Sequence, residues 1–337
     1  MRVLYHLTVP PSPMPACDAV VQEVQALQQR FGGEVSYLYP GRTPGTRFPR
    51  RWWGIHRLPY LRRAEAKIAF HHVYNPDPFS FSVLRFLRRP IVYTVVAGVR
   101  NTDQAAAQRL ARQVHTLVVS TETELNRLQG WGVQAATVVR PGIDVSCFSY
   151  TPSPPESPPT LLVGSAPWTR EQFRTKGVDA LLKLAQQMPE LRLVFLWRGV
   201  LTAEMERQVR SAGLDGRVEV LNEHVDVNAV LARVHAAVAL ADGDALIKAY
   251  PHSLLEALAA GRPVLVSRSI PMSQFVEQRG CGVIVERTDV SSVRHALETL
   301  LRSYRDYQQR ALNVGAHYFS LERLLAAYGR IYESVGQ

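Results

Sequence analysis

The chain has 337 residues, 46% of them apolar and 20% charged, a globular composition that excludes wholesale disorder and exceeds what one hydrophobic core serves, so two compact domains are expected. No run reaches the roughly 18–20 uncharged apolar residues of a membrane span. Three widely spaced cysteines, Cys17, Cys147 and Cys281, fit neither a disulfide framework nor a paired zinc site, which implies a reducing, cytoplasmic setting.

Short apolar runs alternate with helical patterns along nearly the whole chain, the mark of mostly parallel sheets flanked by helices. The first run, broken by His6 and stopped by Pro10 and Pro11, reads as a first strand and not as a signal peptide. In the first half, strands are predicted at 2–7, 35–39, 68–73, 91–95, 115–119 and 136–139, with helices near 16–30, 79–88, 103–113 and 122–129. The net charge of +10 is concentrated here: between residues 40 and 100 twelve basic residues face two acids, Glu65 and Asp77. Trp52, Trp53 and Tyr60 lie in this stretch. Arginines with indoles suit an anionic headgroup layer or an anionic substrate, and a solvated arginine-rich loop is the alternative. No zinc-finger, basic-zipper or RNA-recognition signature accompanies the charge, so no nucleic-acid partner is expected.

Residues 152–159, Pro-Ser-Pro-Pro-Glu-Ser-Pro-Pro, sustain neither helix nor interior strand, because each proline lacks an amide donor and restrains its predecessor. The expected organisation is therefore a domain over 1–150, a linker over 151–159, a second domain over 160–318 and a C-terminal helix over 319–337 that packs on either domain. In the second half, strands are predicted at 160–164, 192–196, 218–221, 237–241, 263–267 and 283–285.

The strongest local signal runs from Lys248 through Ala249, Tyr250, Pro251, His252, Ser253, Leu254 and Glu256 to Ser267. It reads as loop, short helix and strand. Ser253 and Glu256 stand at capping-box spacing, Gly261 suits a left-handed position after the helix, and Pro263 prevents continuation. A helix start beyond the end of a parallel strand suits a phosphate, whereas Glu256 as a mere cap is the plain structural alternative. Asp242-Gly243-Asp244 reads as a turn rather than a metal site, and no metal is expected.

This segment resembles the signature of retaining GT-B glycosyltransferases of the large family-4 type (glycosyl transferases group 1), in which two glutamates eight positions apart face the donor. The resemblance spans nearly all of the C-terminal half. Lys176-Gly177-Val178-Asp179 is similar to the family's Lys-Gly element, and the stretch from Val139 to Phe148 is similar to the passage into its linker. It implies two Rossmann-like parallel-sheet domains facing a central cleft. It also implies transfer of a sugar, with retention, from a nucleotide-diphosphate donor, using no metal or other cofactor. Carried over, Glu256 holds the ribose, Lys176 and Arg174 the diphosphate, with Arg170 as a further helper. The backbone at 249–253 and Gly164 meet the donor.

The chain departs from the family pattern at several places. Lys248 stands where the first glutamate is expected, implying a donor bearing an acid group or a lost contribution to catalysis. Gly164-Ser165 and Trp197-Arg198-Gly199 are atypical, the glycine pair expected within 10–18 is missing, and the histidine expected after the fourth strand is replaced within Val95-Val96-Ala97-Gly98. His71, His72 and Gly98 are the acceptor-side candidates. The acceptor is unspecified: lipid-linked, polysaccharide, or anionic, with peripheral membrane contact through 42–63. The alternative reading is a non-catalytic homologue serving as a nucleotide-binding or regulatory subunit; an epimerase of the same architecture fits less well.

Overall fold

The computed structural model describes residues 2–12, 15, 18–41, 46–151, 158–164, 166–197, 200–243 and 247–336. Cys17, Arg42, Ser165, Arg198, Gly199, Asp244 and most of the expected linker (152–157) lie outside the described residues. The chain divides into two units, 1–142 with 321–337, and 143–320.

In unit 1 the elements run β1 (Val3–Leu7), α1 (Ala19–Phe31), β2 (Glu34–Tyr37), α2 (Leu58–Ala64), β3 (Phe70–Asn75), β4 (Ile91–Val95), α3 (Gln104–Ala111), β5 (Thr116–Val119), α4 (Glu122–Gly130) and β6 (Ala136–Val138). All strands pair in parallel, in the order β2-β1-β3-β4-β5-β6. β1 and β4 are buried along their whole length because parallel sheets are covered on both faces, which explains their continuous apolar runs. α1 starts where Asp18 accepts from the amides of Val20 and Val21 at 2.9 and 3.3 Å.

Unit 2 runs β7 (Thr160–Val163), α5 (Glu171–Thr175), α6 (Val178–Gln187), β8 (Arg192–Leu196), α7 (Thr202–Ser211), β9 (Val218–Leu221), α8 (Val227–Ala232), β10 (Ala236–Ala239), α9 (His252–Ala259), β11 (Val264–Ser267), α10 (Met272–Arg279), β12 (Gly282–Val285), α11 (Val290–Arg302) and α12 (Tyr304–Tyr318). Its six parallel strands are ordered β12-β11-β10-β7-β8-β9. The last helix, α13 (Leu321–Val335), belongs to unit 1, where Leu324, Tyr328, Tyr332 and Val335 are buried.

Every strand expected from the sequence forms, and three expectations are corrected. The helix near 79–88 is only a short 3-10 segment, Ser82–Phe86: Phe81 and Leu87 on either side are extended, and the Leu84 and Leu87 amides bond three residues back, to the Phe81 and Leu84 carbonyls at 3.1 and 3.3 Å. Unit 2 begins at Ile143 rather than at 160: the Ile143 amide donates to the Phe319 carbonyl at 2.8 Å and pairs with Ser320, and the Ser149 amide donates to Asn228 at 2.9 Å. Finally, β3 lies two residues further along than predicted, set by pairing of Leu4 with His71 and Tyr5 with His72.

Candidate functional site

In an open parallel sheet, ligands bind beyond the carboxyl ends of the strands where the strand order reverses. In unit 2 that point lies between β7 and β10. Gly164, just past β7, meets the start of α9 so closely that an added Cβ would lie 2.3 Å from Ser253 Cβ and 2.6 Å from its Oγ. Only glycine admits this approach. Helix α9 begins directly after Pro251, which caps it without a side-chain hydrogen bond. The expected Ser253–Glu256 capping box is therefore absent: the helix opens at His252, so Ser253 is its second residue and Glu256 its fifth, two residues past the third position from which a glutamate reaches back to the cap. Gly261 does adopt the left-handed conformation expected of it, with φ 69°.

Lys176 closes the same region from α5. Its side chain is almost fully buried, its Nζ donates to the Ala166 carbonyl at 3.1 Å, and burial lowers its ammonium to about 8. Next to it, left-handed Gly177 (φ 67°) sits against Leu240, and the Asp242 amide donates to the Thr175 carbonyl at 2.8 Å. These bonds fasten the Lys-Gly turn to the loop after β10. That loop is held from β11 as well: the Ala241 amide donates to Ser267 Oγ at 3.0 Å, Ser269 Oγ donates to the Ala241 carbonyl at 2.6 Å, and the Met272 amide donates to the Ala249 carbonyl at 3.0 Å.

The side chains of this segment divide. Ala249, Tyr250 and Leu254 point into the core, Tyr250 against Phe319 at 5.6 Å between ring centroids, so only their backbone faces outward. Pro251 is also buried, whereas Lys248, His252, Ser253 and Glu256 are partly exposed. Arg174 and Arg170 are largely exposed; Arg174 lies 3.7 Å from Asp242 and 3.9 Å from Glu171, and Arg170 lies 3.7 Å from Glu204. Asp242 thus faces a cation of its own chain.

In unit 1, His71 and His72 are not at a strand end. Both rings are wholly buried within β3. His71 bonds His6 at 2.9 Å and Glu65 at 3.3 Å; His72 bonds Tyr332 at 2.6 Å and Thr94 at 2.9 Å. Burial lowers His72 to about 3, and it lowers His71 against the opposing pull of Glu65. These rings fasten the sheet to its flanks, α13 included, and present nothing to solvent. Gly98 lies in the loop after β4 at φ 100°, a conformation only glycine takes readily, and an added Cβ would lie 2.5 Å from Glu124. Glu124 is buried, which raises its carboxyl, and it accepts from the amides of Val99, Ser120 and Thr121 and from Thr121 Oγ1 at 2.8–3.2 Å. Thr121 and Glu124 form the capping box of α4, and Glu124 also holds the Gly98 loop through the Val99 amide.

A second polar group went unrecognised. At the ends of β1 and β3, where the order of this sheet reverses, Thr8, Asn75, Asp77 and Arg50 form one hydrogen-bonded cluster. Asn75-Pro76-Asp77-Pro78 has the composition of a turn, whereas Arg50 lies 27 positions from Asp77 and nothing local joins them.

Comparison with known proteins follows these divisions. The profile of glycosyl transferases group 1 matches residues 170–314, most of unit 2. The GDP-mannose-dependent alpha-(1-6)-phosphatidylinositol dimannoside mannosyltransferase of Mycobacterium tuberculosis is 25% identical over 237 residues, 66% of this chain and 58% of that protein. The matched region therefore spans under two thirds of that relative. Among solved structures, Anabaena HepE in complex with UDP-glucose aligns over 99% of this chain and 100% of its own with a TM-score of 0.72 at 14% identity. Sucrose-phosphate synthase from Thermosynechococcus elongatus aligns over 99% of both with a TM-score of 0.73 at 15% identity. Two six-stranded parallel Rossmann-like sheets give this chain the GT-B fold of those structures, and residues 170–314, which take in the Lys176 turn and α9, match the glycosyl transferases group 1.

Proposed function

We propose that the protein transfers a sugar from a nucleotide-diphosphate donor to an acceptor hydroxyl, with retention and without a metal. The observation that carries this is the convergence, at one switch point, of the uncapped start of α9, the glycine that lets it approach β7, and the buried Lys176. Helix-start amides and a lysine favour a diphosphate, and they favour it more as charge builds on the departing group. In the reaction, the bond from the anomeric carbon to the distal phosphate oxygen breaks with its electron pair left on phosphate. The acceptor oxygen bonds that carbon from the same face, and its proton passes to the phosphate. Lys176 offsets the growing negative charge, Arg174 adds a flexible, solvated cation, and Glu256 receives the ribose hydroxyls. Lys248 gives a preference for a donor whose sugar bears an acid group. The exposed Trp52 and Tyr60, amid Arg51, Arg57, Arg62 and Arg63, carry contact with an anionic membrane surface. HepE bound to UDP-glucose and the GDP-mannose-dependent mycobacterial relative support a nucleotide-sugar ligand.

The test is a panel of UDP-, GDP-, TDP- and ADP-sugars with the full chain, reading thermal shift and release of nucleoside diphosphate together. A selective shift with diphosphate release is expected. Lys176→Ala should weaken nucleotide affinity about tenfold or more, since a charged hydrogen bond contributes about 1.5–3 kcal/mol. Lys248→Glu should disfavour uronic-acid donors relative to neutral ones. Absence of any shift overturns the reading; binding without turnover favours a nucleotide-binding, non-catalytic role.

A further inference from the structure

The cluster at the β1/β3 switch point has a chemistry unlike that of unit 2. Asn75 is its buried centre: its Oδ1 accepts from Thr8 Oγ1 at 2.5 Å and Arg50 Nη2 at 3.2 Å, and its Nδ2 donates to the Asp77 carbonyl at 2.5 Å and to Asp77 Oδ1 at 2.7 Å. All four of its hydrogen-bonding positions are filled, so it is a fixed support. On that support Arg50 grips Asp77 through two nitrogens, Nη1 to Oδ2 at 2.8 Å and Nη2 to Oδ1 at 2.5 Å, while its guanidinium stacks over Phe79 at 4.3 Å from the ring centroid. Tyr93 fastens the turn beneath by donating to the Phe79 carbonyl at 2.8 Å.

The pair is about one-third exposed, 34% for Arg50 and 31% for Asp77. Arg50 has five N–H donors, of which three are used here, and Asp77 Oδ2 keeps a further lone pair. Its charges are balanced locally. Arg100, which also acts on Asp77, is paired with Asp103 at 3.0 Å, so two arginines stand against two aspartates. The rigid face therefore offers donors and an acceptor side by side with little net charge, beside an aromatic ring. An anion gains little there, whereas neighbouring hydroxyls, each both donor and acceptor, match it.

We propose that the Arg50–Asp77 pair, held by Asn75 and Thr8, is a binding site for a neutral, hydroxyl-rich molecule, a sugar or polyol. Calling that molecule the acceptor rests on the transferase reading; the binding itself does not. Titrations of the full chain with methyl α-D-glucopyranoside, myo-inositol and glucose 6-phosphate, followed by NMR, test it. Wild type should bind the neutral probes at least as well as the phosphate. Asp77→Asn, which leaves Arg50 unbalanced, should move the ratio toward glucose 6-phosphate about tenfold, and Arg50→Gln, which leaves Asp77 unbalanced, should move it the other way. Mere loosening of the turn would weaken all probes together and leave the ratio unchanged. An unchanged ratio in both variants, a wild-type preference for the phosphate, or no neutral probe bound overturns the proposal. Nucleotide binding, measured on the same samples, reports on the transferase reading separately.

Discussion

The contact between Gly164 and Ser253 allows a sharp test of how unit 2 builds its ligand-binding end. Gly164 does not have a positive φ, so alanine suffers no backbone penalty there and its effect is purely steric. The added Cβ would lie 2.3 Å from Ser253 Cβ and 2.6 Å from Oγ, but 3.8 Å from Ser253 Cα, an ordinary contact. Gly164→Ala should therefore push the first turn of α9 away from β7 at a cost of about 1–3 kcal/mol. Ser253→Gly removes both offending atoms and by itself costs about 0.5 kcal/mol in helix propensity. The double variant should then resemble Ser253→Gly alone, giving a favourable coupling of about 1–2 kcal/mol. Equilibrium denaturation of the four proteins measures the cycle, with nucleotide binding read on each. Nucleotide affinity should drop in Gly164→Ala and return in the double variant. Additive losses would show that α9 does not press on the end of β7, and would remove the geometric basis for a diphosphate site there.

Burial holds Lys176 near 8, so a bound diphosphate should favour its charged form, and nucleotide binding above pH 8 should take up a proton. Calorimetry in two buffers of different ionisation heat at pH 8.5 checks this; identical heats refute it. In unit 1, burial keeps His6, His71 and His72 below their ordinary range, so the unfolded chain binds protons that the folded one refuses. Stability of this unit should fall as pH drops below about 6.5, by up to about 1.4 kcal/mol per pH unit for each histidine. His72→Phe should lessen that slope. It should also cost about 1–3 kcal/mol by removing the hydrogen bonds to Tyr332 and Thr94, the latter still bonded to Tyr328, read as lost amide protection in α13.

What the sequence revealed was whatever is encoded locally. All twelve strands were legible because each is a short apolar run set off by polar or turn residues, and the Lys176 and α9 segments were legible because loop, helix and strand follow one another within twenty residues or so. The rest depends on distant partners. Nothing near Ile143 shows that its amide meets Phe319, so the Pro-rich stretch attracted a boundary that belongs 17 positions earlier than residue 160. His71 and His72, near the end of the strand predicted at 68–73, fall near its start once pairing with β1 moves it to 70–75. The capping-box spacing of Ser253 and Glu256 was real but displaced, because Pro251 had already started the helix. Of the twelve basic residues at 40–100, which suit an anionic surface or substrate or a solvated loop, Arg50 is paired with Asp77 and Arg57 donates to Ser36 Oγ at 2.9 Å, partners the sequence did not reveal.

The Arg50–Asp77 pairing bears on where a nucleoside diphosphate can bind. An unpaired Arg50 would attract a nucleoside diphosphate, because exposed arginines recognise phosphate bidentately. Asp77 bonds both terminal nitrogens of Arg50 and balances its charge, and Asn75 keeps it in position. On the proposed reading of unit 2, Asp77→Asn should therefore create a second, weaker diphosphate site in unit 1 in addition to the one proposed in unit 2. Titrated with UDP or GDP, wild type should saturate at one equivalent and the variant at two, with the weaker phase lost at high salt because Arg50 is one-third exposed. Stoichiometry that stays at one would mean that Arg50 is not available to phosphate even when its counter-charge is gone, and that selectivity between the two ligands comes from shape instead of charge.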